Sequence, residues 1–99
     1  MEPALTLDQA KAVVATKTAP RVTEESIKAR IKMVEYMTHD ELTICIITMH
    51  NGWMSTGVSA PASSANFDAE VGKRYAYDNA FKPLWQLEGY LLREQLSQA

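Results

Sequence analysis

The segment from residue 42 to residue 60, LTICIITMHNGWMSTGVSA, decides the fold. Its first half, LTICIITM (residues 42–49), is rich in β-branched side chains, and its near-continuous apolarity predicts a central strand covered on both faces. The pair Asn51-Gly52 then predicts a β-hairpin, because a type I′ turn needs positive φ at both central positions. The return segment WMSTGVSA is more polar, and Gly57 within it indicates a bulge or a close backbone approach.

The segment before this hairpin adds a third strand. MVEYMT alternates loosely between apolar and polar residues, and THDE has the composition of a turn. We therefore predict three antiparallel strands in a meander, at roughly 33–38, 42–49 and 53–60.

A helix is predicted directly before the strands. Thr23 can cap it, and the two glutamates that follow suit the positive end of a helix. Val22 and Ile27 have the spacing of a hydrophobic staple. The helix is expected to run to about Lys32.

Further helices are predicted after the strands. Ser64 or Asn66 can cap a helix that extends over residues 67–81. Pro83 then either kinks this helix or begins a second one, which runs to about Leu96.

The N-terminal part of the chain has weaker signals. Thr6 and Gln9 have the spacing of a capping box, and Pro20 interrupts the pattern that follows. We expect residues 1–21 to form a helical arm and linker, and residues 22–97 to form a single domain. The predicted class is α+β, with helices packed on one face of an antiparallel sheet in the order α-β-β-β-α.

Length and composition exclude several classes of protein. The 99 residues fit one domain, and the 46% apolar content argues against disorder throughout. The net charge of −2 is unlike that of a non-specific nucleic-acid binder, which is basic, or of a strongly acidic DNA mimic. Cys45 is the only cysteine, as is usual in a reducing cytosol. We expect no signal peptide, because the start MEPALTLDQAK lacks a basic region followed by an apolar run, and no apolar run is long enough to span a membrane.

The last predicted helix, LWQLEGYLLREQL, has more apolar surface than one core contact needs. The apolar residues of this helix form two stripes, and two interpretations of the second stripe stay open: it is part of the core, or it is the interface of a homodimer. This second stripe consists of Trp85, Gly89, Leu92 and Leu96. The preceding helix carries a stripe of small residues that would allow close backbone approach, namely Ala65, Ala69, Gly72, Ala76 and Ala80.

Glu88 lies among the leucines of the last helix. A carboxylate on an apolar face must pair, become protonated or reach water. We expect a buried ion pair with a nearby arginine, Arg74, with Tyr75 as another partner; a ligand contact is the alternative.

No catalytic or metal-binding pattern is recognisable. His39 and His50 flank predicted turns, and Cys45 lies within a predicted core strand. We therefore expect no catalytic residues, no metal and no cofactor, and a protein that is not an enzyme. A cluster of basic, amide and aromatic side chains could instead bind a nucleotide through phosphate pairing and base stacking, and its alternative is a solvated helix face with a core tryptophan. The cluster consists of Asn51, Trp53, Lys73, Arg74 and Tyr77.

Two stretches of the chain resemble a known family. NFDAEVGKRYAYDNA, followed by LWQLEGYLLRE, resembles a family of small tailed-phage proteins labelled after gene forty-nine of coliphage N-four and gene sixty-six of Shigella phage Sf-six. The hairpin LTICIITMHNGWMSTGVSA also looks like that family, and the resemblance covers roughly residues 22–96. The resemblance implies that the chain is a phage protein and indicates little about its biochemical activity.

The resulting expectation is a phage accessory protein that binds a host or anti-phage-defence component, either a protein or a small nucleotide, in the host cytoplasm. We expect it to be a homodimer. The alternative is a nucleic-acid-binding module, because GKRYAYDNA and the α-β-β-β-α order resemble a double-stranded-RNA-binding domain. Only Lys73 and Arg74 are basic in that stretch, and the net charge argues against this alternative.

Overall fold

The computed structural model describes residues 4–99, so the first three residues of the predicted N-terminal arm lie outside the described residues. The predicted α+β class and the α-β-β-β-α order are confirmed. The elements are α1 (Leu7–Ala15), α2 (Glu24–Lys28), β1 (Ile31–His39), β2 (Leu42–Met49), β3 (Met54–Ser59), a 3₁₀ turn (Ser64–Asn66) and α3 (Ala69–Ser97).

The three strands form one antiparallel sheet in the order β1-β2-β3. The turn between β2 and β3 differs from the predicted type I′ turn, because Gly52 has positive φ (91°) and Asn51 does not. The Gly52 amide donates to the carbonyl of Met49 at 2.9 Å, and the Met49 amide donates to the carbonyl of Trp53 at 2.8 Å. This is a three-residue loop whose last residue is the left-handed glycine.

Helix α3 covers one face of the sheet, as predicted. Gly57 of β3 provides the close approach that its position in the strand indicates. A Cβ at this position would overlap backbone atoms of Ala76 and Ala80, which are both fully buried. The core between the helices and the sheet consists of Ile27, Cys45, Ile47, Met49, Ala76, Ala80, Phe81 and Leu84.

Helix α3 is continuous through Pro83 and 29 residues long, so Pro83 does not begin a second helix. Its N-cap is Asp68 rather than Ser64 or Asn66, because the Asp68 carboxylate accepts from two backbone amides, both at 3.0 Å. Proline removes one backbone donor from the helix interior. Nearby, the buried Ser55 hydroxyl donates to the Ala80 carbonyl at 2.7 Å, which ties this part of α3 to β3.

The two N-terminal helices differ in how they are held. Helix α2 has the predicted Thr23 cap and buries Ile27, but it ends at Lys28, before the predicted Lys32. It stops there because Ile31 already pairs with Met49 in the sheet. Helix α1 has the predicted capping box but buries no residue, so its apolar side chains Leu7, Val13 and Val14 are exposed to solvent.

The prediction that β2 is covered on both faces holds for one face only. Thr43, Cys45, Ile47 and Met49 are buried on the side of α3. On the other side of β2, Thr48 is buried and Ile44 and Ile46 are half-buried, while the neighbouring strands leave large apolar side chains exposed.

Candidate binding surfaces

The five residues predicted to form a nucleotide site do not come together. Asn51 and Trp53 line a cavity of about 190 Å³ beside Leu84, in the middle of α3. Arg74 and Tyr77 line a different depression. Arg74 precedes Leu84 by ten residues of one helix, which corresponds to about 15 Å along the axis. The residue types that suit a nucleotide therefore lie at two different places on the structure.

The two basic residues of that predicted site are each paired with a carboxylate. Lys73 Nζ lies 3.7 Å from Glu70, and Arg74 Nη2 lies 3.0 Å from Asp78. Each cation also lies 5.8 Å from the centre of a tyrosine ring. These pairs are exposed and contribute little stability, but they offset the positive charge that a phosphate group would need.

The predicted partner of Glu88 is wrong. The Arg30 Nε donates to Glu88 Oε1 at 2.7 Å, and the Glu88 side chain is only 14% exposed. Arg74 is 14 positions earlier on the same helix, about 21 Å away along its axis. Arg30 is brought into place because its carbonyl accepts from the His50 amide at 2.8 Å. Since these contacts join distant parts of the chain, no local sequence signal indicates them.

Glu88→Gln is expected to lower the free energy of unfolding by about 1–2 kcal/mol, since it removes a short charge-assisted hydrogen bond in a largely buried position. Glu94→Gln is the matched control. Glu94 is on the same helix and exposed, with only a side-chain contact to Gln98, and its replacement should cost well under half of that amount. Urea unfolding followed by circular dichroism measures both. Equal effects would mean that the Arg30–Glu88 pair contributes no more than a surface contact.

The stripe predicted as a subunit interface is exposed on α3. The Trp85 and Leu96 side chains are 44% and 45% exposed, and Leu92 is half-buried. A Cβ built on Gly89 has no heavy atom within 4 Å. Nothing in the described part of the chain packs closely on this glycine, and the interface itself stays a prediction.

A second apolar surface was not anticipated as a binding surface. The strand register places nine side chains together on the side of the sheet away from α3. We call this surface the open sheet face. It consists of Met33, Glu35 and Met37 of β1, Ile44, Ile46 and Thr48 of β2, and Met54, Thr56 and Val58 of β3. The alternation in MVEYMT contained the signal, because Val34 and Tyr36 lie opposite buried Ile47 and Cys45, which turns Met33, Glu35 and Met37 to the other side.

The residues with chemical reactivity are isolated from each other. His39 and His50 are exposed at different turns. Cys45 is fully buried, and burial raises the pKa of its thiol, which disfavours the reactive thiolate. Among residues 4–99, no group of three His, Cys, Asp or Glu side chains has the arrangement of a metal site.

The chain exposes more surface than a compact protein of its size. Its accessible surface is 7646 Å², whereas a compact monomer of 11.1 kDa is expected to expose about 5,700 Å². Its radius of gyration is 16.7 Å, compared with about 13 Å for a compact domain of this length. Helix α1, which buries no residue, contributes to this excess of roughly 1,900 Å².

Comparison with known proteins gives one match. The family described as "Phage protein (N4 Gp49/phage Sf6 gene 66) family" matches residues 22–96. No curated protein and no solved structure matches the chain. No helix within residues 4–99 has the length and apolar character needed to cross a membrane.

Proposed function

Because the chain belongs to the phage protein family of N4 Gp49 and Sf6 gene 66, we propose that it is a phage accessory protein that acts by binding. Its target in this proposal is a host or anti-phage-defence component in the host cytoplasm. It works as a homodimer and catalyses no reaction. Small chains with large unsatisfied apolar surfaces commonly act through symmetric assembly and binding.

The observation that supports this proposal is the excess of roughly 1,900 Å² of exposed surface over that of a compact monomer. Exposed apolar side chains occur on both candidate surfaces, with Met33, Met37, Met54 and Val58 on the open sheet face and Trp85 and Leu96 on the stripe of α3. Contiguous apolar patches of this kind are typical of protein–protein contacts. One of the two patches can hold a second copy and leave the other for the target.

A protein target fits these surfaces better than a nucleotide or duplex RNA. The apolar patches offer aromatic and aliphatic anchors, which carry most of the energy in protein interfaces. Phosphate recognition would rest on Lys73 and Arg74, and both already have carboxylate partners. The hairpin tryptophan that would stack a base lies at a different place from these cations.

The homodimer is tested by light scattering coupled to size-exclusion chromatography. We expect a mass near twice 11.1 kDa at high micromolar concentration, with dissociation on dilution. Trp85→Lys/Leu96→Lys tests the stripe on α3, since a dimer contact that uses this stripe would bury four lysines. A wild-type chain that remains a monomer at high micromolar concentration would contradict the homodimer.

The binding role is tested by affinity capture from phage-infected cells. Captured proteins are identified by mass spectrometry, and nucleotides are released by heat and identified separately. Trp85→Lys serves as the control bait. A specific target that binds the stripe on α3 should be captured by the wild-type chain and not by this variant. We expect a protein that rebinds the purified chain without being modified. Turnover of a captured molecule would contradict the proposal, and recovery of a nucleotide alone would exclude the protein target.

A further inference from the structure

Strand β2 is apolar on both sides, and only one side is covered within the chain. Across the open sheet face the register forms three rows. The outer two have little polarity, Met33–Thr48–Met54 and Met37–Ile44–Val58, and the row between them is Glu35–Ile46–Thr56. The exposed fractions of Met37, Met54 and Val58 are 56%, 58% and 52%. An antiparallel sheet usually presents polar side chains to water on its second face. The open sheet face does not follow that pattern and is suited to burial.

We infer that the open sheet face packs against the same face of a second copy of this chain. This inference rests on the proposed homodimer and specifies its interface. The resulting assembly has four layers, helix, sheet, sheet and helix, with the two sheets about 10 Å apart and the isoleucines of both β2 strands at the centre. It buries the second side of β2, which the single chain leaves open.

Charge favours a second copy as the occupant. Of the nine side chains on the open sheet face, only Glu35 is charged, and it lies on β1, at an edge of the sheet. A face without strong charge neither repels itself nor selects an oppositely charged partner. Nucleic acids and anionic membranes require lysines and arginines, which these nine positions lack.

The composition of the face also suits self-association. Met33, Met37 and Met54 surround the central isoleucines, and methionine side chains adapt to irregular gaps between packed surfaces. A two-fold axis that runs along the β2 strands would place β1 of one copy over β3 of the other, so that Met33 meets Met54 and Met37 meets Val58.

Met37→Lys/Val58→Lys tests this interface. Both positions are more than half exposed in the single chain, so the fold should tolerate lysine. In the dimer four lysines would be buried together, and we expect the dissociation constant to rise by about 100-fold or more. Val13→Lys/Val14→Lys is the matched control, because it adds the same charge at two exposed positions of α1 and should leave the dimer intact.

A charge swap distinguishes a direct contact from an unfolded variant. Met37→Lys/Val58→Lys is mixed with Met37→Glu/Val58→Glu, and the mass is measured by light scattering. Each variant alone should be a monomer. The mixture should form a heterodimer, because a two-fold axis along β2 places position 37 of one copy opposite position 58 of the other, and so lysines opposite glutamates. Circular dichroism of each variant verifies the fold.

The outcomes separate this inference from the proposed function. A monomeric wild type overturns the homodimer and the interface together. A wild-type dimer that survives Met37→Lys/Val58→Lys overturns the interface alone. Loss of the dimer in Trp85→Lys/Leu96→Lys but not in the sheet variant would place the contact on α3. Loss only in Val13→Lys/Val14→Lys would place it on α1. Failure of the charge-swapped mixture to associate also overturns the sheet-to-sheet contact.

Discussion

Gly57→Ala is expected to lower the free energy of unfolding by about 3 kcal/mol or more, at the upper end of what overpacking costs. A Cβ at this position would overlap the backbone of Ala76 and Ala80 and lie 2.7 Å from the carbonyl carbon of Asn79. Backbone atoms of a long helix cannot move aside as the end of a flexible side chain can. Helix α3 must therefore lift from β3, which opens the core that it covers.

Gly89→Ala is the control with the opposite expected sign. Gly89 lies within the same helix, and a Cβ there meets no heavy atom within 4 Å. Alanine is favoured over glycine in a helix interior by about 0.8–1.0 kcal/mol, so this variant should be more stable than the wild type. Urea unfolding of both variants gives the comparison. A small effect of Gly57→Ala would mean that α3 and β3 are less tightly apposed than the structure shows.

The same control reports on the stripe of α3. If a second copy packed closely on Gly89, the added methyl group would raise the dissociation constant of the dimer while stabilising the single chain. If the open sheet face forms the dimer, Gly89→Ala should leave the dissociation constant unchanged. Measuring both quantities on one variant therefore separates the two proposed interfaces.

The sequence predicted well those features that depend on neighbouring residues. The three strands were predicted within two residues of their ends, because β-branched composition and turn residues act locally. The caps at Thr6 and Thr23 were predicted from the spacing of side chain and amide, which is also local. The small-residue stripe predicted close approach, and Ala76 and Ala80 provide it.

The features that the sequence did not predict depend on contacts between distant segments. Arg30 reaches Glu88 only after α2 docks on α3, and 58 positions separate the two residues. The sequence left open whether one helix continues through Pro83, and α3 does so because tertiary packing outweighs the local cost of proline. The predicted nucleotide site combined residues of types that each suit nucleotide binding. In the structure the hairpin places Trp53 beside the middle of α3, whereas Arg74 lines a different depression.

Strand β2 shows how a sequence pattern can predict burial that a single chain does not provide. Its near-continuous apolarity predicts burial on both sides, and a pattern of this kind does not distinguish an internal cover from one supplied by another molecule. In the single chain, α3 buries Cys45 and Ile47, while Ile44 and Ile46 remain half-buried. The side of β2 that α3 does not cover is therefore relevant to function, because in our proposal a binding partner covers it.

Leu84→Ala is expected to lower the free energy of unfolding by about 3 kcal/mol, since removing a buried leucine costs about 2–5 kcal/mol depending on the cavity that remains. The Leu84 side chain is 1% exposed and lies in the core with Ile27 and Met49. It also forms a wall of the cavity of about 190 Å³ beside the hairpin, so truncation should enlarge that space rather than let the core collapse.

Leu87→Ala is the matched control for Leu84→Ala, because it makes the same change on the same helix. The Leu87 side chain is 43% exposed and lines the open side of the same cavity, so its truncation should cost about 1 kcal/mol. Both values are measured by urea unfolding. Equal slopes of the free energy of unfolding against urea concentration would verify that the two variants expose similar surface on unfolding. A cost for Leu84→Ala no greater than that for Leu87→Ala would contradict the position of α3 over β2. It would also remove the basis for treating the opposite side of β2 as the uncovered one.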